Sequence, residues 1–315
     1  MDLAGDIGGT KTQLALWEKG SCLQEKRYPS ASFPDLVSMI AHFLNGQQVE
    51  RACLGIAGPV KEGISQTTNL PWRIQASDLS SQLNIPQVIL INDLEANAHG
   101  IAALKPQDLL TIQPGNASPG SHQAILSAGT GLGIAGLTFP GGTPHVIPSE
   151  GGHVEFAPRN AQEDALLLYL RKRFSHISYE RVLSGPGLLN IYRFMIEDQE
   201  IPEDPAISRS ILDEASPALI SSHADHSAAC QESLRLFTSL YGAAAGNVAL
   251  QWLPFGGLFI GGGIAPKMTH LLNSETFLSA FSQKGRFSSL LKEIPLHIIL
   301  NPHTALLGAA HYPYP

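Results

Sequence analysis

The sequence predicts an α/β protein built as two domains, and three observations carry that prediction. The chain has 315 residues, about twice the usual ~150-residue domain and enough for a sizeable core. Apolar residues make up 43% and charged residues 15%, a globular balance too poor in charge for a disordered chain. Short apolar strands also alternate with helical stretches through the amino-terminal third, the order that builds layered α/β sheets.

Residues 2–6 read as a strand, Gly8-Gly9 as a turn, and TQLALWE at 12–18 as a strand that alternates at period two. Lys19-Gly20 turns the chain into a third strand near 21–28, and a helix is predicted over 34–45 with Ser32 as its cap. ACLGIAG at 52–58 is a buried strand, 79–85 is helical, QVILIND at 87–93 is another buried strand, and a helix over 94–104 follows Asp93. PGNASPGS at 114–121 is a turn-rich connection, and 124–137 reads as strand, glycine turn, strand. Helices are expected over 161–174 and 228–252, with a surface loop or short helices at 200–217 and no reading beyond surface for 198–227. GGLFIGGGI at 256–264 is a strand running into a glycine turn before a helix, and 294–311 ends the chain as a strand and a short helix. The expected domains are 1–105 with 298–315, a smaller α/β domain, and 106–297, a larger α+β domain.

Composition removes several function classes. The net charge is −7 and the isoelectric point is near 5.9, without the basic footprint of a nucleic-acid binder or a membrane-surface patch. Cys22, Cys53 and Cys230 are odd in number, and no two have Cys-x-x-Cys spacing. That argues against a disulfide framework and a cysteine zinc site. MDLAGDIGGT has no signal-peptide pattern and no run approaches ~18 apolar residues, so a cytoplasmic protein is expected, with no nucleic acid or membrane as partner.

Five motifs could carry chemistry. Gly5 to Thr12 nearly fits a P-loop, but Thr10 stands where the second glycine belongs, and a strand follows where a P-loop opens a helix. What remains is a hairpin with Asp6 at its entrance and Gly8, Gly9 and Thr10 offering N–H groups and a hydroxyl to a phosphate. A carboxylate there can hold Mg²⁺ through water. Gly129, Thr130, Gly131 and Gly133 form a second such hairpin, since a dinucleotide turn would open a helix. Gly261, Gly262 and Gly263 end a strand where a flat ligand can approach the backbone. Asn92-Asp93 ends a strand of pure hydrophobics; capping explains Asp93 and leaves Asn92 without a role. Glu150, His153 and Glu180 offer planar polar groups of the kind that read sugar hydroxyls, although Glu180 beside Arg181 also reads as a solvated helix face. No Cys or His stands at ligand spacing around His153, so no metal site is expected there.

Together these blocks resemble the bacterial glucokinase family. GDIGGT, INDLEANAHGI, SAGTGLGIA, SEGGHVEFAPR, YERVLSGPGLLNIYR and FIGGGIAPK occur in the family's order and approximate spacing, from Asp6 to the region of Gly308. The resemblance implies an ATP:D-glucose 6-phosphotransferase on the actin-like (ribonuclease-H-like) ATPase fold. Sugar and ATP would lie in a cleft between two domains, and the protein would commonly be a homodimer. It implies Asp93 as catalytic base and Asn92, Glu150, His153 and Glu180 as sugar contacts. It further implies Asp6, Gly8, Gly9 and Thr10 as the first phosphate and magnesium loop, Gly129 to Gly133 as the second phosphate loop, and Gly261 to Gly263 as the adenosine contact. Lys11 departs from many glucokinases of this type and resembles the related repressor–kinase sugar kinases. Those carry a cysteine-rich zinc motif after their Gly-His, whereas VEFAPRNAQED follows His153 here, so the zinc-containing branch is not expected. Asp near its reference pKa of ~3.9 is ionised at neutral pH without any shift. The alternatives are a kinase for another hexose or an amino sugar, and a non-catalytic sugar sensor on the same fold.

Overall fold

The computed structural model describes residues 1–66 and 70–314. The chain forms two compact units. Met1–Asp108, Leu137–Pro148 and the segment from Asn301 onward make the first, and Leu109–Gly136 with Ser149–Leu300 make the second.

In the first unit, β1 (Asp2–Ile7), β2 (Lys11–Glu18) and β3 (Ser21–Pro29) form an antiparallel meander. β4 (Arg51–Ile56) and β8 (Gln87–Asn92) add in parallel, giving the order β3-β2-β1-β4-β8. Both faces are covered. Leu3, Leu14, Leu16 and Leu54 pack under α1 (Leu36–Leu44) on one side. Ala4, Ala15, Cys53 and Ile91 meet Ala96 of α3 (Asp93–Gly100) and Leu306 of the carboxy-terminal helix Thr304–Ala310 on the other. Double burial explains why the central strand β4 is a continuous apolar run, whereas the edge strand β3 is polar and mostly exposed.

Two expectations need correction here. Asp35, and not Ser32, caps α1, accepting from the Ser38 N–H at 2.7 Å. Phe33 precedes Pro34 and is extended, with φ −129° and ψ 147°, because proline disfavours helix at the residue before it. α2 (Ala76–Leu83) starts earlier than the predicted 79–85 and stops where Asn84 turns left-handed at φ 54°. Between Ile56 and α2 lies a small antiparallel sheet of β5 (Val60–Lys61), β6 (Ile64–Gln66) and β7 (Arg73–Gln75), which the periodicity does not reveal.

The second unit repeats the plan. β9 (Leu109–Gln113), β10 (Gln123–Ala128) and β11 (Leu132–Thr138) come first, and β12 (His145–Ser149), which falls almost wholly in the first unit, follows β11 in the chain. β13 (Leu258–Gly261) and β14 (Leu296–Ile299) complete the order β11-β10-β13-β14-β9. β10, β13 and β14 run parallel, and β9 is antiparallel at the edge. The connection 114–121 lies within this unit, between β9 and β10.

α4 (Ala161–Arg171) and α5 (Gly185–Glu197) pack with the 25-residue α8 (Ala228–Trp252), whose Phe237, Tyr241 and Ala245 are fully buried. The α8 boundaries match the sequence reading, and its cap is Ser227, which accepts from the Cys230 N–H at 3.0 Å. The 198–227 segment is more than surface: α6 (Pro205–Asp213) and α7 (Pro217–Ser222) bury Ile211 and Ile220 completely. After Gly263 a 3-10 turn at Ala265–Lys267 replaces the expected helix. α9 (Thr269–Leu272), α10 (Glu275–Ser282) and α11 (Ser288–Glu293) then complete the unit. Among the described residues, no helix is long and apolar enough to cross a membrane.

Candidate active site

In the first unit the register sets the chemistry. Asp6 of β1 pairs with Gly55 of β4, and Ile56 pairs with Asn92 of β8. Asp6 and Asp93 therefore emerge at the carboxyl ends of parallel strands about two strand spacings apart, roughly 10 Å. Open α/β sheets bind ligands at this edge. Asn92 is the helix cap that the sequence leaves unexplained: its Oδ1 accepts from the Leu94 N–H at 2.8 Å, and its Nδ2 donates to Gly58 O at 2.9 Å. Glu95 answers by accepting from the Asn92 N–H. The pair caps the helix reciprocally, like a capping box but with the Asn92 side chain on the N2 rather than the N3 N–H, and its Asn-x-x-Glu spacing is legible in INDLE. Asp93 begins the helix and accepts from the Leu94 N–H at 2.9 Å.

Burial, and then the charge of Asp93, push the Asp6 carboxyl up to about 6, while Arg27 and His303 pull against the rise. The turn between β1 and β2 closes through Gly8 N–H donating to Lys11 O at 3.0 Å. The half-buried Gly8 and Gly9 and the exposed Thr10 sit on it. Ser30, wholly buried, fastens this turn. Its hydroxyl donates to Gly8 O at 2.7 Å, its N–H donates to Thr10 O at 3.0 Å, and Thr12 Oγ1 lies 3.0 Å from its Oγ. Ser30 carries no local signal in sequence, because its partners lie about twenty residues earlier.

In the second unit, Gly129, Thr130 and Gly131 make the turn between β10 and β11, and Gly133 lies inside β11. Two sugar-type blocks converge on this turn. Phe156 N–H donates to Ile177 O at 2.9 Å and Tyr179 N–H to Val154 O at 3.0 Å, joining the His153 segment to the Glu180 segment. His176 Nε2 lies 2.8 Å from His153 O and holds that backbone. His153 Nε2 stands 4.0 Å from Glu180 Oε2, with His153 56% and Glu180 27% exposed.

Glu180 is not on a solvated face. It accepts the Leu132 N–H at 3.0 Å. Ser184 caps α5 by accepting from Gly187 N–H at 3.0 Å, its hydroxyl donates to Glu180 O at 2.7 Å, and Gly185 N–H donates to Gly129 O at 2.8 Å. Glu150 is exposed, and its carbonyl accepts the His153 N–H at 2.9 Å. Gly261 ends β13, and past Gly262 and Gly263 the Ile264 N–H donates to Ala128 O at 3.2 Å, so the third glycine run abuts the second turn.

The carboxylates can accept protons and orient hydroxyls, and the two turns offer N–H groups to phosphates. Among the described residues, no three His, Cys, Asp or Glu side chains cluster as a metal cage. The half-buried carboxylate of Asp6, made costly to ionise by its surroundings, fits a cation held chiefly by phosphate oxygens and water.

Comparison with known proteins identifies the family. The family model described as Glucokinase matches residues 3–314. A glucokinase of Nostoc sp. is 44% identical, covering 98% of this chain and 97% of the relative. One of Yersinia enterocolitica is 38% identical, covering 98% and 95%. The crystal structure of a glucokinase from an Antarctic psychrotroph superimposes with a TM-score of 0.86 at 33% identity, covering 98% of this chain and 97% of that one. The fold is therefore the actin-like ATPase fold, and the chain belongs to the glucokinase family.

Proposed function

We propose that this chain transfers the γ-phosphoryl group of ATP to the 6-hydroxyl of D-glucose, giving glucose 6-phosphate and ADP, with Asp93 as general base. Family membership supports glucose and ATP as the substrates. The observation that carries the base assignment is Asp93 at the first turn of a capped helix, on the ligand-binding edge of the first unit's sheet. Asp93 takes the proton as the sugar oxygen attacks phosphorus, an effect worth ~10²–10⁴ in rate. Asn92, Glu150, His153 and Glu180 pair with the sugar hydroxyls. Asp6, Gly8, Gly9 and Thr10 with Gly129, Thr130, Gly131 and Gly133 face the phosphates, and Gly261, Gly262 and Gly263 face the adenosine.

Phosphoryl transfer asks for positioning and charge neutralisation more than for covalent chemistry. Asp6 would hold Mg²⁺ through water, together with the ATP phosphates, and the ion would supply neutralisation of phosphate charge. We further propose a small domain of 1–105 with 298–315, a large domain of 106–297, a cytoplasmic location and a homodimer.

A coupled assay with ATP across glucose, fructose, mannose and N-acetylglucosamine tests the reading. Glucose is expected to be turned over best; equal or better turnover of another sugar would end the glucose assignment.

A further inference from the structure

We infer that Glu180 couples sugar binding to the second glycine turn, and that Gly131 is a positioning residue for the sugar site. The inference rests on the sugar-contact role proposed above for Glu180. The Leu132 peptide is the junction. Its N–H donates to Glu180 Oε2 at 3.0 Å, and a Cβ on Gly152, next to His153, would lie 1.9 Å from its carbonyl oxygen. With the Gly185–Gly129 bond of 2.8 Å, the turn is tied to both sugar blocks and moves with them.

Gly131 shows what the turn accommodates. A Cβ there would sit 2.7 Å from Glu180 Oε2, whereas one on Gly129 would meet nothing nearer than Gly263 N at 3.9 Å. Gly131 has no positive φ, so its backbone does not demand glycine. The carboxylate of Glu180 needs the space. One carboxylate oxygen is engaged by Leu132, which leaves Oε1 for a sugar hydroxyl. A hydroxyl bound there fixes the carboxylate, and through Leu132 it fixes the peptide that closes the nucleotide turn. Linkage requires the reverse effect with the same factor: a bound nucleotide tightens glucose.

The test is calorimetric. Glucose is titrated without nucleotide into the unmodified protein, Gly131→Ala, Glu180→Ala and the double variant. A non-hydrolysable ATP analogue is titrated into the first two with and without saturating glucose. Gly131→Ala is expected to raise the glucose Kd about fivefold or more although no nucleotide is present, and to add nothing in the Glu180→Ala background. Glucose is expected to tighten the analogue at least about fivefold in the unmodified protein and less than about twofold in Gly131→Ala. An unchanged glucose Kd in Gly131→Ala, or an additive double variant, overturns the coupling while leaving the sugar contact intact. An unchanged glucose Kd in Glu180→Ala removes the sugar contact itself. Should Gly131→Ala fail to fold, a glucose-independent analogue Kd in the unmodified protein overturns the inference alone.

Discussion

The two units share a plan and differ in what their glycine turns are fastened to. In each, a short turn joins neighbouring strands and two parallel strands follow on the inner side, giving β2-β1-β4-β8 and β11-β10-β13-β14. The first turn is fixed by one buried serine and stands on a sheet edge carrying two mutually repelling carboxylates. Among the described residues the second has no such buried serine; its ties run to the Glu180, Gly152, Gly185 and Ile264 segments. On the function proposed above, the first unit supplies charge and proton transfer, and the second supplies recognition tied to the nucleotide turn.

That contrast can be broken at several places. The largest effect is expected at Asp93. Asp93→Asn should lower kcat by ~10²–10⁴ in the ATP and glucose assay, and near-normal turnover would remove the base assignment. Next comes the packing of the second turn. Gly152→Ala drives a methyl group into Leu132 O, where 1.9 Å is available. It should cost about 1–3 kcal/mol in denaturant unfolding and weaken both substrates together. In the first turn, Ser30→Ala leaves Gly8 O without its hydroxyl partner. A loss of about 1–3 kcal/mol is expected, and the KM for ATP should rise while the glucose Kd holds. A matching rise in glucose Kd would erase the difference between the turns.

The last effect concerns Asp6 and is read from its pH dependence. Its folded pKa lies near 6, above the ordinary 3.8, so the folded state holds the proton more tightly than the unfolded chain. The stabilisation from the protonated carboxyl is complete below about pH 3.8 and is lost as pH rises through about 6. Asp6→Asn should therefore gain stability over the unmodified protein at pH 8, with a smaller gain at pH 5, while its KM for ATP rises. Denaturant melts at the two pH values check the sign.

How much of this was legible depended on the range of the interaction. Buried strands such as 52–58 and 87–93 show as apolar runs because both sheet faces are covered, and α8 is long enough for its pattern to stand out. The three-stranded sheet at 60–75 does not, because strands of two and three residues carry no period. The cap formed by Asn92 and Glu95 is present in the Asn-x-x-Glu spacing, which the adjacent Asp93, itself a good capping residue, masks. Ser30 and the Leu132 junction were beyond reach, since each is defined by partners distant in sequence. Glu180 beside Arg181 reads as solvated for the same reason, since its partner Leu132 lies far off in sequence.

The division of labour between the two units is tested most directly by the glucose Kd of the Asp93→Asn protein, titrated without nucleotide beside Glu180→Ala. The account predicts that Asp93→Asn stays within about threefold of the unmodified protein, since proton acceptance belongs to the transition state, whereas Glu180→Ala weakens binding about tenfold or more by leaving sugar hydroxyls unpaired. Equal weakening in the two variants would contradict it.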